Sequence, residues 1–197
     1  MAFIETVPPE EASPHVRQMY ERAVGSYGYL PNMVKVFSLR PAVMDGWNAL
    51  LGAIRANMDL RRYELVTLAA AQELKSSYCM LAHGSVVLDK FFQAHELKAV
   101  VDDPVSAPLD DAERAVVAFV RKMVRDAPSI TQDDIDGLRK QGLADADIFD
   151  VVAAAAVRCF FSKTLDALGA RPDAAYEKIA QPLRASLTIG RAIDTAS

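Results

Sequence analysis

The chain has 197 residues, with 22 Lys and Arg against 26 Asp and Glu, three His and two Cys. A net charge of −4 excludes the bulk basic footprint of a nucleic-acid or anionic-membrane binder, and an apolar share of 51% excludes the composition of a disordered chain. At this length a compact fold hides about 70% of the surface of its extended chain, so one domain over residues 1–197 is expected. Cys79 and Cys159 cannot build a disulfide framework or a Cys-rich zinc site. The first residues lack the basic flank and apolar centre of a signal peptide. No apolar run approaches the length of a membrane span, the best candidate, 151–161, being interrupted by Arg158. The expectation is a soluble, cytoplasmic protein whose cysteines are thiols.

Helix punctuation recurs along the chain while period-2 strand signals are nearly absent. Ser13-Pro14 caps a first helix that Gly25 is expected to close, Pro31 opens a short one, and Pro41 opens a longer one reaching about Asn57. Asp59 caps the Ala- and Leu-rich stretch from Leu60 to Lys75. Ser76-Ser77 interrupts it before an apolar-periodic stretch from Tyr78 to Phe92. A short segment from His95 to Val101 precedes a loop over 102–108, and Asp110 starts a helix with apolar positions Ala115, Val116, Phe119, Val120 and Met123 at helical spacing. Thr131 caps a short helix ending at Gly142. Asp145 or Asp147 starts the longest one, closed by Gly169, and a last helix is expected from near Pro172, broken or kinked by Pro182. Nine or ten helices with short joints make an all-α domain. Leu60-x-x-x-Glu64 and Leu109-x-x-x-Glu113 open two of them alike, a faint sign of an internally duplicated helical unit.

Several suggestive clusters do not rise to a site. His95-Glu96 lacks the second His of a zinc-protease helix, because Ala99 stands there. Asp133, Asp134, Asp136 and Gly137 miss the register of a calcium loop, with Gln132 first and Leu143 last. Both read as helix caps and solvated faces. There is no Gly-rich phosphate loop and no Gly-x-Ser-x-Gly elbow. His15 reads as a surface residue, and Met44 and Trp47 as core. No metal or bound cofactor is expected.

The informative stretch runs from Glu64 to His83. Cys79 and His83 are four apart, so on a helix they share a face and can come within hydrogen-bonding reach. Ser76 lies three before Cys79. With Ser76 as N-cap, Cys79 becomes the third helical residue, where unpaired N–H groups and the helix dipole favour an anion. A helix start beside an imidazole is an environment that favours a thiolate. The plainer reading is that Cys79 is a small buried hydrophobe, and Cys159, in a strongly apolar run, reads as packing.

The segment resembles the core motif of the alkylhydroperoxidase D and carboxymuconolactone decarboxylase superfamily, Glu-x11-Cys-x2-Cys-x3-His. Glu64, Cys79 and His83 fall on its glutamate, second cysteine and histidine, and Ser76 on its first cysteine. Leu30-Pro31-Asn32 and Arg40-Pro41 upstream are similar to the peroxidase-related branch. So are Leu109-x-x-x-Glu113, Ser129-Ile130-Thr131, Gly142-Leu143 and Asp166-Ala-Leu-Gly169 downstream. The resemblance covers a core of about residues 28–170.

It implies a helical bundle of repeated units, homo-oligomers (trimers or hexamers), and a glutamate–histidine proton relay to the second cysteine, which attacks a peroxide before the first cysteine resolves it. Two positions depart from the pattern. Ser76 cannot form a disulfide, so an external thiol or dithiol has to reduce the oxidised Cys79. Tyr78 stands where some members carry an extra relay histidine. The expected function is a one-cysteine thiol hydroperoxidase of peroxiredoxin type, with catalytic Cys79, His83 and Glu64. Ser76 supports it by capping the helix and bonding the sulfur, with Tyr78 beside it. The alternatives are a decarboxylase-like enzyme in which Glu64 and His83 move protons on a small organic acid, and an inactive helical oligomer with a decayed Cys-x-x-Cys site.

Overall fold

In the computed structural model, which describes residues 2–195, every regular element among those residues is helical. In chain order these are α1 (Pro14–Tyr27), α2 (Asn32–Phe37), α3 (Pro41–Arg55), α4 (Leu60–Glu73) and α5 (Ser77–Lys90). They are followed by α6 (Ala94–Asp102), α7 (Asp111–Arg125), α8 (Gln132–Lys140), α9 (Asp145–Ala167) and α10 (Leu183–Leu187). Short 3-10 turns lie at Pro9–Glu11, Ala127–Ser129 and Ala174–Lys178.

The ends are set by local chemistry. Asp59 accepts from the Arg62 N–H at 2.8 Å and starts α4. Asp110 and Glu113 form a reciprocal box at the start of α7, with distances of 2.8 and 3.1 Å. Two expectations need correction. Gly25 does not close α1: the helix runs on to Tyr27 and stops at Gly28, whose φ of 77° supplies the left-handed turn. In place of the helix expected from near Pro172 there is only the short 3-10 turn Ala174–Lys178. The Asp173 carboxylate accepts from the Asn32 N–H at 2.7 Å, its backbone is extended, and α10 begins only after Pro182.

Helix α4 is the axis of the molecule. Every residue from Tyr63 to Ala71 is buried, as a helix enclosed on all sides requires, and it packs against α5, α7 and α9. The run Ala69-Ala70-Ala71 keeps its neighbours close. The two helices opened by Leu-x-x-x-Glu meet directly: Arg61 of α4 pairs with Glu113 of α7 at 2.5 and 3.2 Å, which leaves Glu64 to turn toward α5. On the other side α10 lies on α5 and α6, and a Cβ at Gly84 would stand 2.9 Å from Leu187. Buried side chains from Ala12 to Leu187 form one continuous apolar cluster. Among the described residues no helix is long and apolar enough to cross a membrane.

Candidate active site

A cavity of about 590 Å³ opens between α1, α3, α4, α5 and α9. Helix α5 brings Cys79 and His83 to it, α4 brings Tyr63 and Glu64, α9 brings Arg158 and Phe161, and α3 supplies Trp47 and Arg55. Trp47 is stacked on Phe161 with ring centres 4.2 Å apart, so one wall is a rigid aromatic face. Trp47 therefore lines the cavity as well as packing, whereas Met44 is buried. His15 lies on the surface, where Asp45 is 2.6 Å away.

Glu64 and His83 are brought together. The His83 Nδ1–H donates to Glu64 Oε2 at 2.7 Å, which leaves Nε2 as the free ring nitrogen. The pair is well shielded, the side chains being 17% and 4% exposed respectively. Burial, with Arg158 nearby, holds His83 below its ordinary value although Glu64 pulls the other way. The ring is therefore neutral at pH 7 and able to accept a proton.

Cys79 occupies the third position of α5, one turn before His83, and is 1% exposed. No hydrogen bond joins it to His83, contrary to what the four-residue spacing suggests. Its sulfur is held from α9 instead. Ser162 Oγ–H donates to Sγ at 3.1 Å, and Arg158 Nη1 lies 3.7 Å from it. These two residues are one helical turn apart, so both reach the same atom.

Arg158 is the least expected member of the site. It is 2% exposed and forms no ion pair with a carboxylate among the described residues. Its Nη2 donates to the Tyr63 hydroxyl at 3.0 Å, and its guanidinium lies 5.5 Å from the Phe161 ring centre and 5.9 Å from that of Trp47. Its Nε has no partner. Burial works against its charge, but the Cys79 sulfur and the Tyr63 oxygen outweigh it and hold Arg158 above its ordinary value. An enclosed cation without a carboxylate is costly to keep. Here the atom that answers it is a sulfur able to become an anion.

The supporting residues stand elsewhere than expected. Ser76 is the N-cap position of α5, but its side chain makes no capping bond. Its fully buried Oγ faces Asp166 without a hydrogen bond of ordinary geometry and makes no hydrogen bond to the Cys79 sulfur. Tyr78 donates its hydroxyl to Asp173 rather than to His83, and receives the Met33 N–H at 3.1 Å. It anchors the first turn of α2. Among the described residues no three His, Cys, Asp or Glu side chains are grouped to share a metal ion.

Residues 41–122, which contain Glu64, Cys79 and His83, match the sequence profile of the carboxymuconolactone decarboxylase family. Over that stretch the chain is similar to the family. No curated protein matches it in sequence. The fold is similar to that of a peroxidase-related protein with an alkylhydroperoxidase AhpD core from Ralstonia eutropha JMP134, at 19% identity and a TM-score of 0.80, over 89% of this chain and 94% of that one. It is similar to a peroxidase-related protein from Silicibacter sp. TM1040, at 22% identity and a TM-score of 0.75, over 89% and 91% of the two chains. It is also similar to the debrominase Bmp8, at 14% identity and a TM-score of 0.73, over 92% and 96%. Proteins of this fold thus carry more than one chemistry, and fold alone does not choose between them.

Proposed function

We propose that the protein is a thiol-dependent hydroperoxidase in which Cys79 is the single peroxidatic cysteine. One observation carries this reading: the sulfur receives Ser162 Oγ–H at 3.1 Å and faces the buried, carboxylate-free guanidinium of Arg158 at 3.7 Å. Both stabilise a thiolate more than a thiol. The Cys79 proton is taken up at Nε2 of His83, across the cavity both residues line, with Glu64 fixing the ring. The thiolate attacks the terminal oxygen of the hydroperoxide and the O–O bond breaks. Cys79 is left as a sulfenic acid, and the departing alkoxide takes the proton from His83. Two equivalents of an external thiol then return the sulfenic acid to the thiol, releasing water and a disulfide. That reductant is the only co-reactant the proposal needs, and a reduced cytoplasmic thiol pool would supply it.

A homo-oligomer belongs to the same proposal. The outer side of α3 leaves Val43 and Leu50 exposed among small residues, and light scattering showing only a 21.5 kDa species would count against it. A decarboxylase-type reaction carried by Glu64 and His83 would leave the donors on the Cys79 sulfur without a role. The aromatic wall of Trp47 and Phe161, together with the likeness to a debrominase, favours a second reading, removal of halogen from an aromatic ring. The experiment is to supply the protein with a dithiol and either an organic hydroperoxide or a brominated pyrrole. Hydroperoxide consumption that disappears in Cys79→Ser is the expected result. Cys79-dependent bromide release without it would select the second reading.

A further inference from the structure

The charge lining the cavity is opposite in sign to that of the whole protein. The chain is acidic, at −4, yet the side chains facing the cavity include Arg22, Arg55, Lys90 and Arg158 against one carboxylate, Glu64, which accepts the His83 Nδ1–H. Two of the cations are already answered. Arg22 pairs with Asp45 at 3.1 Å, and Lys90 lies 3.5 Å from Asp89. Arg158 faces the sulfur. Arg55 is different. It is exposed, has no ion-pair partner among the described residues, and lies over the Tyr63 ring at 4.9 Å. Tyr63 is the residue whose hydroxyl receives Arg158. A free cation at the rim is thus held one tyrosine ring away from the reacting centre.

The size and walls of the cavity define the rest of the ligand. Hydrogen peroxide needs little more room than a water, whose share of liquid volume is about 30 Å³, and about 590 Å³ is the scale of a ring-sized organic molecule. Trp47, Phe161, Met33, Met44 and Leu51 make its walls largely apolar. Resting on the hydroperoxidase reading above, we infer that the substrate is a bulky, ring-sized organic hydroperoxide carrying a carboxylate. Arg55 takes the carboxylate at the rim, the apolar body lies on the Trp47–Phe161 wall, and the peroxide group reaches Cys79. Arg55 is then a specificity-determining residue that does not touch the reacting oxygens.

The test uses matched probes: cumene hydroperoxide bearing a para-carboxylate, its neutral methyl ester, and the two corresponding alcohols, which cannot react. The single Trp47 reports binding of the alcohols by fluorescence, and dithiol-coupled turnover reports the hydroperoxides. The acid is expected to exceed the ester by about tenfold in both kcat/KM and affinity, a preference that shrinks as salt is raised. Arg55→Gln should bring the acid-to-ester ratio close to one, and Arg55→Lys should restore most of it. Equal binding of acid and ester by the parent protein, or a ratio that Arg55→Gln leaves untouched, overturns the inference. If the acid alcohol is preferred through Arg55 while neither hydroperoxide oxidises Cys79, the charge assignment stands and the peroxidase reading fails. If both hydroperoxides oxidise Cys79 at the same rate, the peroxidase reading stands and this inference fails.

Discussion

The two cysteines of this protein make opposite use of one helix. Cys159 sits on α9, next in sequence to Arg158, and is half-buried. Burial pushes its thiol up, against a weaker opposite pull from Lys163 and from the guanidinium beside it in the chain. Cys79 lies on another helix, 79 positions away in sequence from that same Arg158, and receives both its Nη1 and the Ser162 hydroxyl. Adjacent residues on a helix point in different directions, about 100° apart, so the neighbour in sequence is badly placed to receive the hydrogen bonds that Cys79 gains. The difference between the two sulfurs therefore comes from tertiary placement, and it can be broken one group at a time.

The largest effect is expected from Cys79→Ser, which should reduce dithiol-coupled hydroperoxide consumption to background while leaving the helical circular dichroism unchanged. Next comes His83, the proposed proton carrier. His83→Gln should lower kcat/KM by about 10²–10⁴, the range of general acid–base catalysis. The parent enzyme should lose activity only below about pH 6.5, because burial holds His83 under its ordinary value and the ring must be neutral to accept the proton. A pH–rate profile locates that limb, and an acid limb centred above 6.5 would count against it.

Arg158→Met should slow oxidation of Cys79 by about 10²–10³, the scale of losing a preorganised charge partner at a reacting atom. Its thermal midpoint should equal or exceed that of the parent, since an apolar side chain of similar volume replaces a buried cation with no carboxylate and an unpartnered Nε. Calorimetry alongside stopped-flow oxidation separates this from simple damage: a large fall in the midpoint would make Arg158 a structural residue. Ser162→Ala removes one hydrogen bond to the sulfur, worth about 1–1.5 kcal/mol, and should slow the same step by about tenfold. Cys159→Ala should be the mildest, with the oxidation rate within about twofold of the parent and stability lowered by about 1 kcal/mol for the lost half-buried contact.

The all-α class and most helix starts were legible in the sequence because caps and prolines act locally: Ser13, Asp59, Asp110 and Thr131 lie at the starts they signal. The misplaced ends have equally local causes. Gly25 carries no positive φ, whereas Gly28 does, and the tail after Pro172 is drawn out by Asp173 bonding to Asn32 and Tyr78. At the site, the motif spacing located one side of the sulfur, α4 and α5. The other side was hidden. Arg158 and Ser162 stand 79 and 83 residues from Cys79, and nothing in helical periodicity says that α9 lies across the cavity. The one available signal was an arginine in the middle of the apolar run 151–161, a position where a charge is costly unless something receives it. Ser76 misled for the converse reason. Its place as N-cap was readable, but whether its hydroxyl turns to the sulfur or to Asp166 is decided by α9.

The central claim is that Cys79, and not Cys159, is the sulfur built to meet a hydroperoxide. It is tested most directly by exposing the reduced protein to one equivalent of cumene hydroperoxide in the presence of dimedone and mapping the adduct by mass spectrometry. The expected result is a dimedone-trapped sulfenic acid on Cys79 with Cys159 unmodified, and loss of the adduct in Arg158→Met over the same time. An adduct on Cys159, or an unmodified Cys79 that a small alkylating reagent still reaches through the cavity, would contradict it.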